Sequence, residues 1–148
     1  MEFKTISSAQ TKKIAGLLAK KILAENKKIK NALVLALVGD LGSGKTTFTQ
    51  GFLRGLGIKN KITSPTFVIA KKYKIQNTKY KYAYHFDYYR IKKPAEFFAL
   101  GFKEILADPQ NIVLIEWPEV IKKFLPKNSI WINFEHGEKE SQRVLFIN

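Results

Sequence analysis

The sequence contains no cysteine, and none of its apolar runs approaches the length of a membrane span. The absence of cysteine excludes a disulfide framework and zinc bound by cysteine. A helix that crosses a bilayer needs about 18 or more consecutive apolar residues, and the apolar stretch at residues 32–38 is far shorter. The first ten residues lack the apolar core of a signal peptide. These absences predict a soluble, cytoplasmic protein.

Acidic residues and arginine are also scarce. Twelve acidic residues stand against 26 basic ones, of which 23 are lysine and three are arginine, and the formal net charge is +14. Arginine is the side chain that bidentate phosphate and base recognition favours, and the lysines are scattered in pairs along the chain. We therefore interpret the positive charge as the result of a generally lysine-rich composition and not as a nucleic-acid-binding surface. A basic face that meets an acidic partner or RNA is the alternative.

The length and the hydrophobic pattern predict one α/β domain over residues 1–148, with a mixed, mostly parallel sheet flanked by helices. Residues 32–38, "ALVLALV", are apolar on both faces, as in a buried parallel strand. A helix over residues 45–56 follows and ends at Gly57. Two strands on either side of "QNT" form an antiparallel hairpin. The other predicted elements are a helix from Ser7 or Ser8 to about residue 26 with Ile14, Leu17, Leu18 and Ile22 on one side, a short helix within 94–107, a strand at 112–116, a helix from Pro118, and strands at 129–135 and 142–148.

A phosphate-binding loop joins the first buried strand to the following helix. "GDLGSGKT", residues 39–46, fits the pattern G-x-x-x-x-G-K-[ST] at every fixed position. Glycine lets backbone N–H groups wrap a polyphosphate, and the N-terminus of the helix points at the same anion. The lysine reaches the β and γ phosphates, and the Thr hydroxyl coordinates Mg²⁺. We therefore predict a nucleoside triphosphate site whose loop contacts come from Gly42, Ser43, Gly44, Lys45, Thr46 and Thr47.

Two acids are candidates to act opposite this loop, because the carboxyl ends of neighbouring strands meet there. Glu116 ends the apolar run at residues 112–115, and Asp87 ends the second hairpin strand. Either carboxylate could hold Mg²⁺ through water or orient the attacking water, and the sequence does not distinguish them. Each acid also has a purely structural interpretation. Glu116 could be a carboxylate at the start of the next helix, and Asp87 could be an ordinary acid in a turn or at the edge of the sheet.

Several other residues near these motifs have both a functional and a structural interpretation. Thr66, or alternatively Ser64 in the same segment between the loop helix and the hairpin, is a candidate sensor of the γ-phosphate, and the structural alternative is a Ser-Pro turn. Trp117 could stack on a base or a partner, or belong to the core. For His85 the pattern favours buried packing. For Arg90 it leaves phosphate support and a surface salt bridge equally open.

Five motifs together resemble the TsaE (YjeE) family of small P-loop ATPases that act in the biosynthesis of threonylcarbamoyladenosine (t6A) in bacterial tRNA. They are, in order, "GDLGSGKTT", "TSPTFVI", "HFDYYRI", "LGFKEI" and "IEWPEV". The resemblance implies a P-loop NTPase fold, ATP and Mg²⁺ as cofactors, and slow hydrolysis. It also implies two partner proteins, TsaB and TsaD, which modify adenosine 37 and through which the chain would meet tRNA.

By the same resemblance, Lys45 and Thr46 are the phosphate and magnesium residues. Asp87 and Glu116 are functional acids, Trp117 matters for activity, and Thr66 responds to the nucleotide. The main alternative is a small metabolite kinase, but such kinases carry an arginine-rich lid that three arginines could hardly build. A GTP-dependent switch is disfavoured because no N-K-x-D segment is present. A nucleic-acid-binding module would predict steeply salt-dependent tRNA binding.

Overall fold

The structure is a computed structural model, and it describes residues 1–62, 70–76, 78–89, 93, 95–98 and 101–148. Strands and helices alternate along much of these residues, as expected for an α/β protein. Their bounds in chain order are β1 Glu2–Thr5, α1 Ser8–Ala24, β2 Leu33–Val38, α2 Lys45–Gly55, β3 Ala70–Lys74, β4 Tyr82–Asp87, α3 Ala95–Phe98, α4 Phe102–Ala107, β5 Asn111–Glu116, a 3₁₀ helix Pro118–Phe124, β6 Ile130–His136 and β7 Arg143–Ile147.

Within the described residues, one sheet of seven strands has the order β1-β7-β6-β2-β5-β4-β3. The four central strands β6, β2, β5 and β4 are parallel, and each edge is closed by antiparallel pairing. The antiparallel pair β3–β4 is the predicted hairpin. The prediction of an α/β fold with a mixed sheet and a hairpin is therefore confirmed.

Each face of the sheet is covered by a separate hydrophobic cluster. On one face, Phe48, Phe52 and Leu53 of α2 pack with buried residues of α1 and with Leu35 and Leu37 of β2. On the other face, the helical segments after β4 and β5 pack on the opposite side of the same strands. No helix among the described residues is long and apolar enough to span a bilayer.

The buried face of α1 differs from the predicted one. Ser7 caps the helix, and its hydroxyl accepts a hydrogen bond from the Gln10 backbone N–H, as the sequence predicts. However, Leu17 is 57% exposed, and the buried positions are Thr11, Ala15, Ala19 and Ile22. The small residues face inward because α1 crosses α2 closely, so the prediction that Leu17 lies on the core side is wrong.

Strand β1 is an element that the sequence analysis missed. It forms the edge of the sheet beside β7, with Glu2 opposite Phe146 and Thr5 opposite Arg143. Four residues with two charges carry little strand signal. Its pairing partner lies at the other end of the chain, so no local pattern could reveal it.

The close crossing of α1 and α2 gives a prediction about stability. A Cβ added at Gly51 would lie 2.4 Å from the Lys12 carbonyl oxygen and 2.5 Å from the Lys12 Cα, and neither backbone atom can rotate away. We expect Gly51→Ala to lower the free energy of unfolding by about 2 kcal/mol, because overpacking outweighs the better helix propensity of alanine. Urea denaturation measures this difference.

Gly16→Ala is the matched control at the same helix pair. Its Cβ would meet the Gly51 carbonyl oxygen at 3.5 Å, which is an ordinary contact. The helix propensity of alanine should then leave stability unchanged or raise it by up to about 1 kcal/mol. Equal effects of the two substitutions would contradict the close approach at Gly51.

Candidate functional site

Three neighbouring parallel strands bring their carboxyl ends to one edge of the sheet. The loop between β2 and α2 begins there, and Leu37 of β2 lies opposite Glu116 of β5. Glu116 in turn lies opposite Asp87 of β4. The structure therefore places the predicted loop and both predicted acids at the same edge, where open α/β sheets bind ligands.

The glycine-rich loop needs its glycines for two different reasons. Gly42 and Gly44 have φ values of 75° and 107°, a region that residues with a Cβ rarely adopt. At Gly39 the limit is space, because a Cβ would lie 2.6 Å from the Ser43 Oγ and 2.9 Å from the Phe134 carbonyl oxygen. Gly44 is the N-cap of α2 and has no side-chain capping bond. The N-terminal N–H groups of α2 therefore face the loop, as in an anion site.

Lys45, the first residue of α2, has its ammonium group inside this loop. The residue is 5% exposed. Its Nζ donates hydrogen bonds to the carbonyl oxygens of Gly39, at 2.5 Å, and Asp40, at 2.8 Å. The same Nζ lies 4.2 Å from the centre of the Trp117 ring. Burial lowers the pKa of Lys45, and the charges of nearby acids, Glu116 first among them, oppose that shift.

Thr46, Glu116 and His85 form a chain of hydrogen bonds from the loop into the sheet. The Thr46 hydroxyl donates to the Glu116 Oε1 at 3.1 Å. The other carboxylate oxygen, Oε2, is hydrogen-bonded to the His85 Nε2. Glu116 is 2% exposed and His85 is fully buried. Glu116 thus joins the loop to the neighbouring strand through both of its oxygens.

Trp117 follows Glu116 directly and turns the chain sharply. Its backbone is in the left-handed region, with φ 60° and ψ 56°, and among the described residues it is the only non-glycine with positive φ. Such a conformation is rare and strained for a bulky side chain. The half-buried indole lies over Lys45 and 5.1 Å, between ring centres, from exposed Tyr89. Trp117 therefore belongs to the site and lies at its surface.

The other predicted residues are placed as follows. Asp87 is half-buried at the end of β4, and its Oδ1 accepts a hydrogen bond from the Tyr89 N–H at 3.2 Å. Ser43 is buried in the loop, and Thr47 is half-buried in the first turn of α2. Ser64, Thr66 and Arg90 lie outside the described residues.

Arg143 is a residue of the loop's surroundings that the sequence analysis did not single out. Its Nη2 donates to the Gly42 carbonyl oxygen at 3.0 Å, and its Nη1 donates to the carbonyl oxygens of Gln142, at 2.7 Å, and Glu140. One guanidinium thus joins the β6–β7 connection to the tip of the loop. No motif marks this contact, because 101 positions separate Arg143 from Gly42.

The loop at the end of the central strand, together with the fold, defines a P-loop protein of the α/β class. The family model described as "Threonylcarbamoyl adenosine biosynthesis protein TsaE" matches residues 5–145. The chain belongs to the TsaE family, and the resemblance stated from its motifs is confirmed.

Individual relatives agree with the family model. The chain is 36% identical over 146 residues to the tRNA threonylcarbamoyladenosine biosynthesis protein TsaE of Bacillus subtilis, covering 99% of this chain and 84% of that protein. It is 42% identical over 130 residues to the TsaE protein of Rickettsia typhi, covering 87% and 82%. The crystal structure of YdiB from Bacillus subtilis matches with a TM-score of 0.73 at 31% identity, covering 99% of this chain and 84% of that one.

Proposed function

We propose that the protein binds ATP with Mg²⁺ and hydrolyses it slowly, as the nucleotide-dependent subunit of the machinery that forms threonylcarbamoyladenosine at adenosine 37 of tRNA. Membership of the TsaE family supports the pathway. The observation that carries the nucleotide chemistry is the buried Lys45 ammonium inside the loop. Within the described residues its hydrogen-bond partners are the carbonyl oxygens of Gly39 and Asp40 and the hydroxyl of Ser43, all of them neutral.

The loop fits a triphosphate for an electrostatic reason. A buried ammonium without a directly bonded anion is costly, and the lowered pKa of Lys45 reflects that cost. A triphosphate offers Nζ charged acceptors, which make stronger hydrogen bonds than carbonyl oxygens. The backbone amides of residues 42–46 would add further donors. Lys45 then binds the phosphates and balances their charge.

The residues beside Lys45 fit Mg²⁺. Magnesium prefers oxygen ligands and is usually held by one or two protein groups together with substrate phosphates. The Thr46 hydroxyl and the Glu116 carboxylate are such oxygens, 3.1 Å apart. Across the described part of the chain, no group of three or more His, Cys, Asp or Glu could hold a metal ion. As is usual for Mg²⁺, substrate phosphates and water would supply the other ligands. When bound, the ion neutralises charge that develops on the γ-phosphate.

The two acids differ in what they touch, and this difference suggests their roles. Glu116 contacts Thr46 directly, so we assign it to the magnesium side of the site. Asp87 lies at the same edge on the adjacent strand, and we assign it to orienting the attacking water. Trp117 shields Lys45 from solvent on the outer side. Thr66 stays the proposed nucleotide-responsive residue.

Partner proteins complete the proposal. In the described residues, the arginine beside the loop is Arg143, whose bonds go to backbone carbonyls. An arginine aimed at the transferred phosphate is worth about 10³ to 10⁵ in rate where it exists. We propose slow hydrolysis by the chain alone, which a partner that supplies such a group would accelerate. We propose that TsaB and TsaD dock on the chain, alter its turnover, and carry the contact with tRNA.

Turnover of ATP by the purified chain, alone and with TsaB, TsaD and tRNA, tests the proposal. We expect slow release of phosphate that requires Mg²⁺, a changed rate in the complex, and repeated t6A formation only when the chain is present. Indifference of t6A formation to the chain would refute the proposed role. Transfer of the γ-phosphate to a small metabolite, without release, would favour a P-loop kinase.

Arg143→Ala is expected to weaken ATP binding about fivefold. The substitution removes the guanidinium that donates to the Gly42 carbonyl oxygen, so the loop becomes less ordered. The loss of one charge-assisted hydrogen bond at a half-exposed site costs about 1 kcal/mol, which corresponds to about fivefold in affinity. Titration with a fluorescent ATP analogue measures the affinity. Arg54→Ala is the matched control, because Arg54 also donates to a backbone carbonyl, that of Ile58, away from the loop. Equal affinities of the two variants would contradict this role of Arg143.

A further inference from the structure

The fully buried imidazole of His85 lies in the middle of the site, although neither phosphate binding nor metal binding assigns it a task. His85 lies opposite Leu114, and Asp87 lies opposite Glu116. Because side chains alternate between the faces of a strand, His85, Asp87 and Glu116 share one face of the sheet. Leu114 belongs to the cluster under α2, so this is the face that carries the loop helix.

We propose that His85 is the positioning residue for Glu116: its Nε2–H holds one carboxylate oxygen so that the other faces Thr46. This inference rests on the proposed nucleotide function. The two hydrogen bonds that define it are His85 Nε2 to Glu116 Oε2 and Thr46 Oγ1 to Glu116 Oε1. A glutamate held at both oxygens has one orientation, which is what a metal-side or water-side acid needs.

The hydrogen-bond chemistry fixes which nitrogen of His85 carries a proton. An ionised carboxylate can only accept, so Nε2 must be the donor. The other ring nitrogen, Nδ1, has no hydrogen-bond partner among the described residues and is buried. A ring chosen only to fill space would be cheaper without two buried polar nitrogens. The bond to Glu116 is therefore the reason for histidine at this position.

Without His85, Glu116 has a competing partner. Among the acids that raise the pKa of Lys45 against the effect of burial, Glu116 has the largest effect, and both side chains are almost fully buried. A carboxylate released from His85 can rotate toward the ammonium and form an ion pair with it. Such a pair would take Lys45 from the phosphates and Glu116 from Thr46. By holding Glu116 toward Thr46, His85 therefore leaves Lys45 available to the phosphates.

Three substitutions separate positioning from packing. His85→Gln keeps an N–H donor at about the distance of Nε2, His85→Asn has the same polarity but a shorter reach, and His85→Leu fills similar space without a donor. We expect the Asn and Leu variants to lose at least about tenfold in kcat for ATP hydrolysis, as for other groups that orient a site residue, and to bind ATP more weakly than wild type, because Glu116 then competes with the phosphates for Lys45. The Gln variant should keep most of kcat. If Leu does not fold, the comparison of Gln with Asn decides.

A purely packing role predicts the opposite order, with Leu active and Gln impaired, and that order would overturn the inference. A second readout needs no nucleotide. Imidazole ¹⁵N–¹H NMR should show a proton of His85 on Nε2, and Glu116→Gln should shift that signal; a proton on Nδ1 with none on Nε2 would refute the proposed donor. If the wild type shows no ATP turnover, the proposed function fails, while the NMR result still decides the contact.

Discussion

Replacing Glu116 by glutamine is expected to lower ATP turnover about 10²- to 10³-fold while changing the affinity for ATP by less than about threefold. The substitution keeps the shape of the side chain but removes its charge. It also puts an N–H₂ group where an oxygen now accepts either from the Thr46 hydroxyl or from the His85 Nε2. The Thr46 hydroxyl oxygen can accept from this N–H₂ group while the amide oxygen accepts from His85 Nε2, so the orientation of the side chain is kept and the lost charge accounts for the expected effect.

The binding of the triphosphate should survive this change, because the loop amides and Lys45 do not depend on the Glu116 carboxylate for their own geometry. Phosphate release at saturating ATP and a separate binding titration measure the two quantities. Glu104→Gln, at an exposed position of α4, is the control and should behave as wild type. Turnover within threefold of wild type in Glu116→Gln would remove this residue from the catalytic machinery and leave Asp87 as the functional acid.

Replacing Lys45 by methionine is expected to weaken ATP binding about 10²-fold. The substitution keeps most of the apolar stem beside Trp117 but removes the charge and its hydrogen bonds. Two charge-assisted hydrogen bonds to phosphate, at about 1.5 kcal/mol each, correspond to that factor. Isothermal titration with ATP, and fluorescence titration if binding becomes too weak, measure the change.

Lys45→Met should not lower the thermal stability of the protein, so weaker ATP binding by this variant cannot be attributed to unfolding. The ammonium is buried, and burial lowers its pKa, so removing the charge removes a desolvation cost from the folded state. We expect the melting temperature of Lys45→Met to equal or exceed that of wild type. Lys59→Ala, at an exposed position, should change neither quantity. A Lys45→Met protein that binds ATP normally would show that the loop is not a triphosphate site.

The parts of the molecule with a local signal were predictable from the sequence. The run at residues 32–38, the glycines and the lysine sit next to one another in the chain, so the strand, the loop and the start of α2 follow from one stretch. Glu116 was predictable for the same reason, because it ends a buried apolar run. The structure adds that Asp87 is its direct neighbour across the β4–β5 pair, which spacing alone did not determine.

The parts that the sequence did not reveal depend on contacts between distant segments. Strand β1 forms by pairing with β7, and Arg143 contacts the loop because the start of β7 lies beside Gly42. The sequence predicts the wrong buried face for α1, because a helical pattern of apolar residues places the large side chains in the core. Close helix packing at Gly51 and Gly55 instead selects the small ones. For His85 the sequence pattern predicts buried packing, and the residue is buried, but its bond to Glu116 depends on the pairing of β4 with β5.

The position of β2 in the sheet has a consequence for the order in which the protein is made. The strand that leads into the phosphate loop lies between β5 and β6, with Leu33 opposite Ile112 and Leu35 opposite Ile130. Both neighbours come much later in the chain, so a nascent chain that ends before Asn111 has no strand on either side of β2. During synthesis the loop residues emerge early, but the frame that holds them is assembled only after β6 has left the ribosome. An N-terminal fragment that contains the whole loop motif should therefore be unable to bind nucleotide.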